Sequence, residues 1–229
     1  MRIAAVIVAA GRGKRFEESI KKQFFPLKGK PIIVWTLEVF DRQERIDELI
    51  LVIEKEDKGF VIEEILNKYH FKKDIRLAEG GKMRQDSVYS GIVSTSEDID
   101  IVLIHDGVRP LIRSDIIEKV IEETIKEGAV IVAVKESDTT VLSKESFIES
   151  FLDRDSIYRV QTPQSFRRGL IMKGLTQAYK DNFYGTDDSS LVIRLGEKVK
   201  IVEGTPYNIK ITSRDDIYFA ERILEDLGD

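Results

Sequence analysis

Short runs of β-branched and other apolar residues alternate along the chain with longer stretches in which apolar residues recur at helical spacing. The short runs predict strands at Ile3–Val8, Leu49–Ile53, Ile75–Leu77, Ile101–Ile104, Ala129–Val134, Ile157–Val160, Val199–Val202 and Asn208–Ile211. Several are apolar at successive positions, the pattern of parallel strands covered on both faces. Helices are predicted over Pro31–Arg42, Phe60–Tyr69, Met83–Ser94 and Ser114–Glu127. Pro31 suits a first helical turn, and Ser114 is a candidate N-cap ahead of Ile117, Val120, Ile121 and Ile125. Ser213-Arg214-Asp215-Asp216 reads as a capping box before Ile217, Ala220, Ile223 and Leu224. This alternation predicts an α/β fold with a doubly wound, mostly parallel sheet. Ligands of such sheets bind beyond the carboxyl ends of the strands, so the loops after Val8, Leu77, Ile104, Val134 and Val160 are where chemistry is expected. Glu136–Arg159 breaks the rhythm: it is polar, turn-rich and too long for an ordinary connection.

Composition narrows the chemistry. The 229 residues suffice for one domain with a sizeable core, and we expect a single domain over 1–229 with 136–159 projecting from it. Lys and Arg number 36 against 41 Asp and Glu, a formal charge of −5 that disfavours a general nucleic-acid binder. The chain has no cysteine, which excludes disulfides, thiolate metal sites and cysteine nucleophiles, and its two histidines, His70 and His105, make a multi-histidine metal site unexpected. The longest apolar run, Ile3–Ala10, is far shorter than the about 20 residues of a membrane helix. After Met1-Arg2 it faintly mimics a signal peptide, but it is β-branched and enters a glycine-containing basic loop, so the expectation is a cytoplasmic protein with no membrane partner.

Three loops carry candidate chemistry. The first, Ala9-Ala10-Gly11-Arg12-Gly13-Lys14-Arg15-Phe16, continues to Lys21-Lys22-Gln23. It sets Arg12, Lys14, Arg15, Lys21 and Lys22 against Glu17 and Glu18, a local excess of positive charge among small residues that suits a polyphosphate. Phe16 replaces the third glycine of a dinucleotide fingerprint, and no P-loop motif is present. The second loop, Glu79-Gly80-Gly81-Lys82-Met83-Arg84-Gln85-Asp86-Ser87, has two glycines that permit close approach to a flat base, with Arg84 and Ser87 in the first helical turn. The third, His105-Asp106-Gly107-Val108-Arg109-Pro110, offers a carboxylate for a divalent metal or ligand hydroxyls, or a local Asp106–Arg109 ion pair; His105 reads as a structural hydrogen-bonding residue. Later pieces each have an ordinary explanation alone: Thr186 as a helix cap, Thr162-Pro163 as a turn, Arg154 and Lys210 as surface charges.

Taken in order, Ala-Ala-Gly-x-Gly-x-Arg…Lys-Gln, Gly-Gly-x-x-Arg-x-x-Ser-Val, His-Asp-x-x-Arg-Pro, Asp-Thr, Thr-Pro-Gln, Thr-Asp-Asp and Asn-Ile-Lys resemble the 2-C-methyl-D-erythritol 4-phosphate cytidylyltransferases, from Ile3 to beyond Thr212. The resemblance implies a Rossmann-like domain whose projecting β-arm interlocks two subunits of a homodimer, with Glu136–Arg159 where that arm would lie. It implies an enzyme that joins CMP from CTP to methylerythritol phosphate and releases pyrophosphate, in non-mevalonate isoprenoid synthesis. By the same resemblance, Ala10, Gly11, Gly13, Lys14 and Arg15 would wrap the CTP phosphates and Lys22 would reach them. Gly80, Gly81, Arg84 and Ser87 would face cytosine and ribose. Asp106, Arg109, Thr162, Thr186 and Lys210 would line the sugar-phosphate side. Thr139 and Arg154 would enter the neighbouring subunit's site. Arg15, Lys22 and Lys210 are the expected catalytic cations, with Mg2+ near Asp106. Lys21 stands where the family has proline, and Lys82 where relatives can be acidic. A cytidylyltransferase acting on ribitol 5-phosphate or another polyol phosphate, and a nucleotide sensor without turnover, are the alternative readings.

Overall fold

The computed structural model describes residues 1–11 and 20–227. Arg12, Gly13, Lys14, Arg15 and Phe16 of the first basic loop lie outside the described residues. Strand β1 (Ile3–Val8) leads through two two-residue strands, β2 (Pro26–Leu27) and β3 (Lys30–Pro31), to helix α1 (Ile32–Asp41) and strand β4 (Glu48–Ile53). Helix α2 (Lys58–Phe60), continued by a π-helical stretch (Val61–Leu66), precedes β5 (Ile75–Glu79), α3 (Arg84–Val93), β6 (Ile101–Asp106), α4 (Ser114–Glu127) and β7 (Ala129–Lys135). A hairpin of β8 (Val141–Lys144) and β9 (Phe147–Phe151) then separates β7 from β10 (Tyr158–Arg167), after which come α5 (Arg168–Lys180), α6 (Asp188–Ile193), β11 (Lys200–Glu203) and α7 (Asp215–Leu227).

Seven strands form one sheet in the order β11-β7-β10-β6-β1-β4-β5. Every pairing is parallel except those of β10, which runs against both β6 and β7. The reversal follows from the connection: β7 leaves the sheet, the hairpin intervenes, and the chain returns beside β7 with Glu136 N–H donating to Ile157 C=O at 2.9 Å. The apolar runs divide by alternation between the two faces. Ile3, Ala5 and Ile7, Leu49 and Leu51, and Ile101 and Leu103 pack under α1, α4 and the π-helical stretch. Ala4, Val6, Ile50, Val52, Val102 and Ile104 pack under α3, α5 and α6. The runs Ile3–Val8, Leu49–Ile53 and Ile101–Ile104 within these strands are apolar throughout because both faces are roofed by helices. Helix α7 closes a third cluster with Leu27, Ile32, Val108 and Ile211.

Four local expectations are corrected. Asn208–Ile211 is not a strand: Asn208 N–H is turned back to Thr205 C=O and Ile209 N–H to Tyr207 C=O, so the backbone is used in turns. Thr162-Pro163 is not a surface turn but lies inside β10, where the register with β7 shifts between Val160 and Gln164. Ser114 opens α4 rather than capping it, since Arg113 occupies the cap position. At α6 the cap is Asp187, whose carboxylate accepts from Ser190 N–H, rather than Thr186. Helices α5 and α6 are additions to the predicted elements. At α7, Asp216 reaches back as expected and accepts from the Thr212 and Ser213 N–H groups at 2.7 and 2.8 Å.

Candidate active site

The carboxyl ends of β1, β4, β5 and β6 open toward the same side, and the antiparallel β10 brings Thr162 there opposite Asp106. Two cavities of about 500 Å3 each lie at this end. The first is lined by Ala10, Gly11, Lys22, Gly81, Lys82 and Ser87, among others. The second is lined by Arg109, Thr162, Thr186 and Gln161 with their neighbours. Arg84, Asp106 and Lys210 line both, so these three side chains form a common wall.

Asp106 is the hub of that wall and is only 6% exposed. Its Oδ1 accepts from Arg84 Nε at 3.2 Å and its Oδ2 from Lys210 Nζ at 2.8 Å, with Arg109 Nε at 3.6 Å. Burial alone would raise the Asp106 carboxyl, but Arg84, Lys210 and Arg109 together outweigh it and hold the group well below the usual carboxylate range. Burial pulls Arg84 the other way, and Asp188 and Asp106 more than compensate, so its guanidinium is held charged. Arg109 is lowered by burial, which Asp106 offsets only in part, and it donates from Nη1 to Asn208 C=O at 2.8 Å.

A second layer fixes this wall. Asp106 N–H donates to Thr162 Oγ1 at 3.1 Å, and Thr162 Oγ1 lies 3.0 Å from His105 Nδ1. His105 Nε2 lies 3.1 Å from the carbonyl oxygen of Arg109, which can only accept. Nε2 therefore carries the proton, Nδ1 accepts from the Thr162 hydroxyl, and the imidazole is neutral. Burial, the leading cause, pushes His105 down to about 4, in keeping with that assignment. Asn208 Nδ2 donates to Thr162 C=O at 2.9 Å and to Gln161 Oε1 at 3.2 Å, which ties the segment bearing Lys210 to β10.

Glycines set the spacing of the loops. A Cβ on Gly80 would stand 2.2 Å from Ala10 Cβ, and one on Gly81 would stand 2.3 Å from Asp86 Cβ. A side chain at Gly80 would thus strike the β1 loop, and Gly80 lines neither cavity. Among the described residues nothing lies within 4 Å of where a Cβ on Gly11 would project.

Of the residues singled out in the sequence, Ala10, Gly11, Lys22, Gly81, Arg84, Ser87, Asp106 and Lys210 converge on the first cavity, and Arg84, Asp106, Arg109, Thr162, Thr186 and Lys210 on the second. Gly13, Lys14 and Arg15 lie outside the described residues. Thr139 and Arg154 are exposed on the arm and line neither cavity of their own chain. Lys21 is not part of a free positive loop, because its Nζ pairs with Glu54 and with Asp57 at 2.8 Å. Gln164 and Asp188 stand in the Thr-Pro-Gln and Thr-Asp-Asp motifs and Gln85 in the second loop, but none of the three was given a role from the sequence. Gln85 accepts from Gly185 N–H at 3.0 Å, Gln164 accepts from Ser189 N–H at 2.9 Å, and Asp188 accepts from Arg84 Nη1 at 2.9 Å.

Among the described residues no group of three or more His, Cys, Asp or Glu side chains could hold a metal. Asp106 nevertheless fits a magnesium ion carried by a polyphosphate, since that ion commonly takes one or two protein carboxylates and draws its other ligands from phosphate and water. No helix among the described residues is long and apolar enough to cross a membrane.

The chain matches the family model described as 2-C-methyl-D-erythritol 4-phosphate cytidylyltransferase (IspD) over residues 3–226. A 2-C-methyl-D-erythritol 4-phosphate cytidylyltransferase of Clostridioides difficile (strain 630) is 45% identical over 221 residues, 96% of this chain and 93% of that one. One of Geobacillus thermodenitrificans (strain NG80-2) is 43% identical over 98% of this chain and 97% of its own. Among solved structures, 4-diphosphocytidyl-2C-methyl-D-erythritolsynthase from Anaerococcus prevotii DSM 20548 superposes with a TM-score of 0.86 at 36% identity, covering 98% of both chains.

Proposed function

The chain belongs to the 2-C-methyl-D-erythritol 4-phosphate cytidylyltransferase family, and from that premise we propose that its two cavities hold CTP and methylerythritol phosphate on either side of the Arg84–Asp106–Lys210 wall. The enzyme transfers CMP from CTP to 2-C-methyl-D-erythritol 4-phosphate, giving CDP-methylerythritol and pyrophosphate for isoprenoid synthesis. The observation that carries the residue assignment is the common wall. A phosphoryl group passing between two ligands must meet cations at their junction, and Arg84 and Lys210 are there.

The acceptor's phosphate has a second pKa of about 6 and is largely dianionic at neutral pH. It therefore needs no general base. One of its oxygens attacks the α-phosphorus in line, the new P–O bond forms, and the bond to the β-phosphate oxygen breaks as pyrophosphate departs with the electron pair. The barrier lies in bringing two anions together and in the charge on the α-phosphoryl and leaving oxygens, so positioning and cationic stabilisation supply most of the rate. In this reading Arg15, Lys22 and Lys210 stabilise that charge, with Gly13 and Lys14 joining Ala10 and Gly11 around the triphosphate. Gly81 and Ser87 face the nucleoside, Gly80 holds the loop spacing, and Arg109, Thr162 and Thr186 face the acceptor. Asp106 is the residue that would hold a nucleotide-borne magnesium ion, which when bound would supply neutralising charge. Thr139 and Arg154 come from a second subunit of a homodimer. The use of CTP, an intracellular nucleotide, supports the reading of a cytoplasmic enzyme.

Pyrophosphate release with CTP and methylerythritol phosphate, against CTP with ribitol 5-phosphate, tests the acceptor. Lys22→Ala should lower kcat on the order of 100-fold while CTP affinity changes far less. Near-normal turnover in that variant rejects the role of Lys22, and CTP binding with no pyrophosphate release in the native protein rejects the reading as a whole.

A further inference from the structure

Resting on that reading, we infer that Asp188 is a positioning residue for the transfer: it holds the Arg84 guanidinium toward α6 and so keeps the Oδ2 oxygen of Asp106 for Lys210. Asp188 is 1% exposed, and its Oδ1 accepts from Arg84 Nη1 at 2.9 Å. Arg84 gives only Nε to Asp106, at Oδ1. A guanidinium has five N–H donors in a fork that matches a carboxylate with two parallel bonds. Freed from Asp188, Arg84 would close on both oxygens of Asp106 and compete with Lys210. With Asp188 present the two cations are sorted, Arg84 on one oxygen and Lys210 on the other. Three of the five Arg84 donors make no hydrogen bond among the described residues and remain at the wall between the cavities.

The carboxylate is not explained by folding. Its Oδ2 has no partner among the described residues, and the cavity beside it, bounded by Arg84, Gln85, Thr186 and Leu191, is about 20 Å3, room for one water. A buried carboxylate with an unpartnered oxygen costs free energy. Burial, the leading cause, accordingly holds the Asp188 carboxyl above its ordinary range even beside Arg84. The backbone at this point is secured by others. Gln164 takes Ser189 N–H at 2.9 Å and donates to Asp187 Oδ2 at 3.0 Å, while Asp187 takes Ser190 N–H at 3.0 Å. A neutral residue at 188 leaves those bonds in place.

The test is Asp188→Asn, read for kcat, for the KM of CTP and for the thermal midpoint. Pyrophosphate release by the native enzyme is measured first, because its absence would sink the assigned activity and not this inference. The expected result is a fall in kcat of about fivefold or more, a KM for CTP within about threefold of the native value, and a midpoint no lower than native. A smaller fall in kcat, a larger rise in KM, or a lowered midpoint overturns the positioning role. Asp188→Ser, which also removes the charge and suits a first helical turn, is judged on the same three readings if the amide variant does not fold.

Discussion

His105 shows how one side chain in this wall can set the behaviour of several. It is fully enclosed, and both ring nitrogens are engaged, one by the Thr162 hydroxyl and one by the Arg109 carbonyl. Folding keeps it neutral down to about 4, whereas the unfolded chain takes up its proton near 6.5. Between those values the unfolded state binds more protons, so this contribution to stability is fully present above pH 6.5 and is lost as the pH falls toward 4. Denaturation of the native protein and of His105→Gln should therefore converge by about 2 kcal/mol between pH 6.5 and pH 5. Equal pH dependence of the two would place the proton elsewhere. At this scale the sequence was partly legible. The structural role of His105 was readable from residue type, and the Asp106–Arg109 pairing was one of two readings of that loop, whereas the convergence of Lys22, Arg84 and Lys210 was legible only through the family resemblance, since Lys210 alone reads as a surface charge. The neutralisation of Lys21 by Glu54 and Asp57 was not legible, because both partners arrive from the turn that follows β4.

The elements that deliver the site are held to tight tolerances. Gly91 in α3 would carry a Cβ 2.3 Å from Val6 Cγ1 and 2.8 Å from Val52 Cγ2, so α3 lies directly on β1 and β4. Gly91→Ala should cost about 1–3 kcal/mol in urea denaturation, and it should weaken CTP binding as well, because α3 carries Arg84 and Ser87 in its first turn. Loss of stability with unchanged nucleotide affinity would separate the helix's seating from the site. Of the six parallel strands, β1, β4, β6 and β7 were evident from their unbroken apolar runs, whereas β5 and β11 left shorter runs broken by Arg76 and Lys200. Asn208–Ile211 misled because its alternation mimics a strand, while the burial of Asn208 by Gln161 and Thr162 depends on contacts more than 40 residues distant. Helix α5 escaped notice because Gly169 and Gly174 interrupt its pattern, although Ile171, Leu175 and Ala178 fall on one face. The glycine there is tolerated since Gly174 packs closely on Leu191 of α6.

On the scale of the molecule, the arm is the part that folding of one chain does not satisfy. Leu142, Phe147, Ile148 and Phe151 are between 50% and 77% exposed, a cluster of apolar surface on a two-stranded hairpin. Such surface is characteristic of an interface, and the proposed homodimer would cover it while carrying Arg154 into the neighbouring site. Mixing inactive Lys22→Ala with inactive Arg154→Ala should then restore activity. A mixed dimer has one site with both residues intact, and random exchange at equal concentrations gives about a quarter of the native rate. Activity no greater than that of the separate variants would rule out the exchange of arms. The interruption at Glu136–Arg159 was legible as a departure from the rhythm of the sheet, but its strands were not, since exposed hairpin residues leave no core-facing pattern to read. The roots of that arm stand side by side, where Glu136 meets Ile157 across one hydrogen bond. A tight turn could bridge them. The hairpin between those roots is therefore a cassette: its length and its apolar tip can be rewritten, or exchanged for a relative's, while Tyr158 and Arg159 keep their register against Lys135 and Val134.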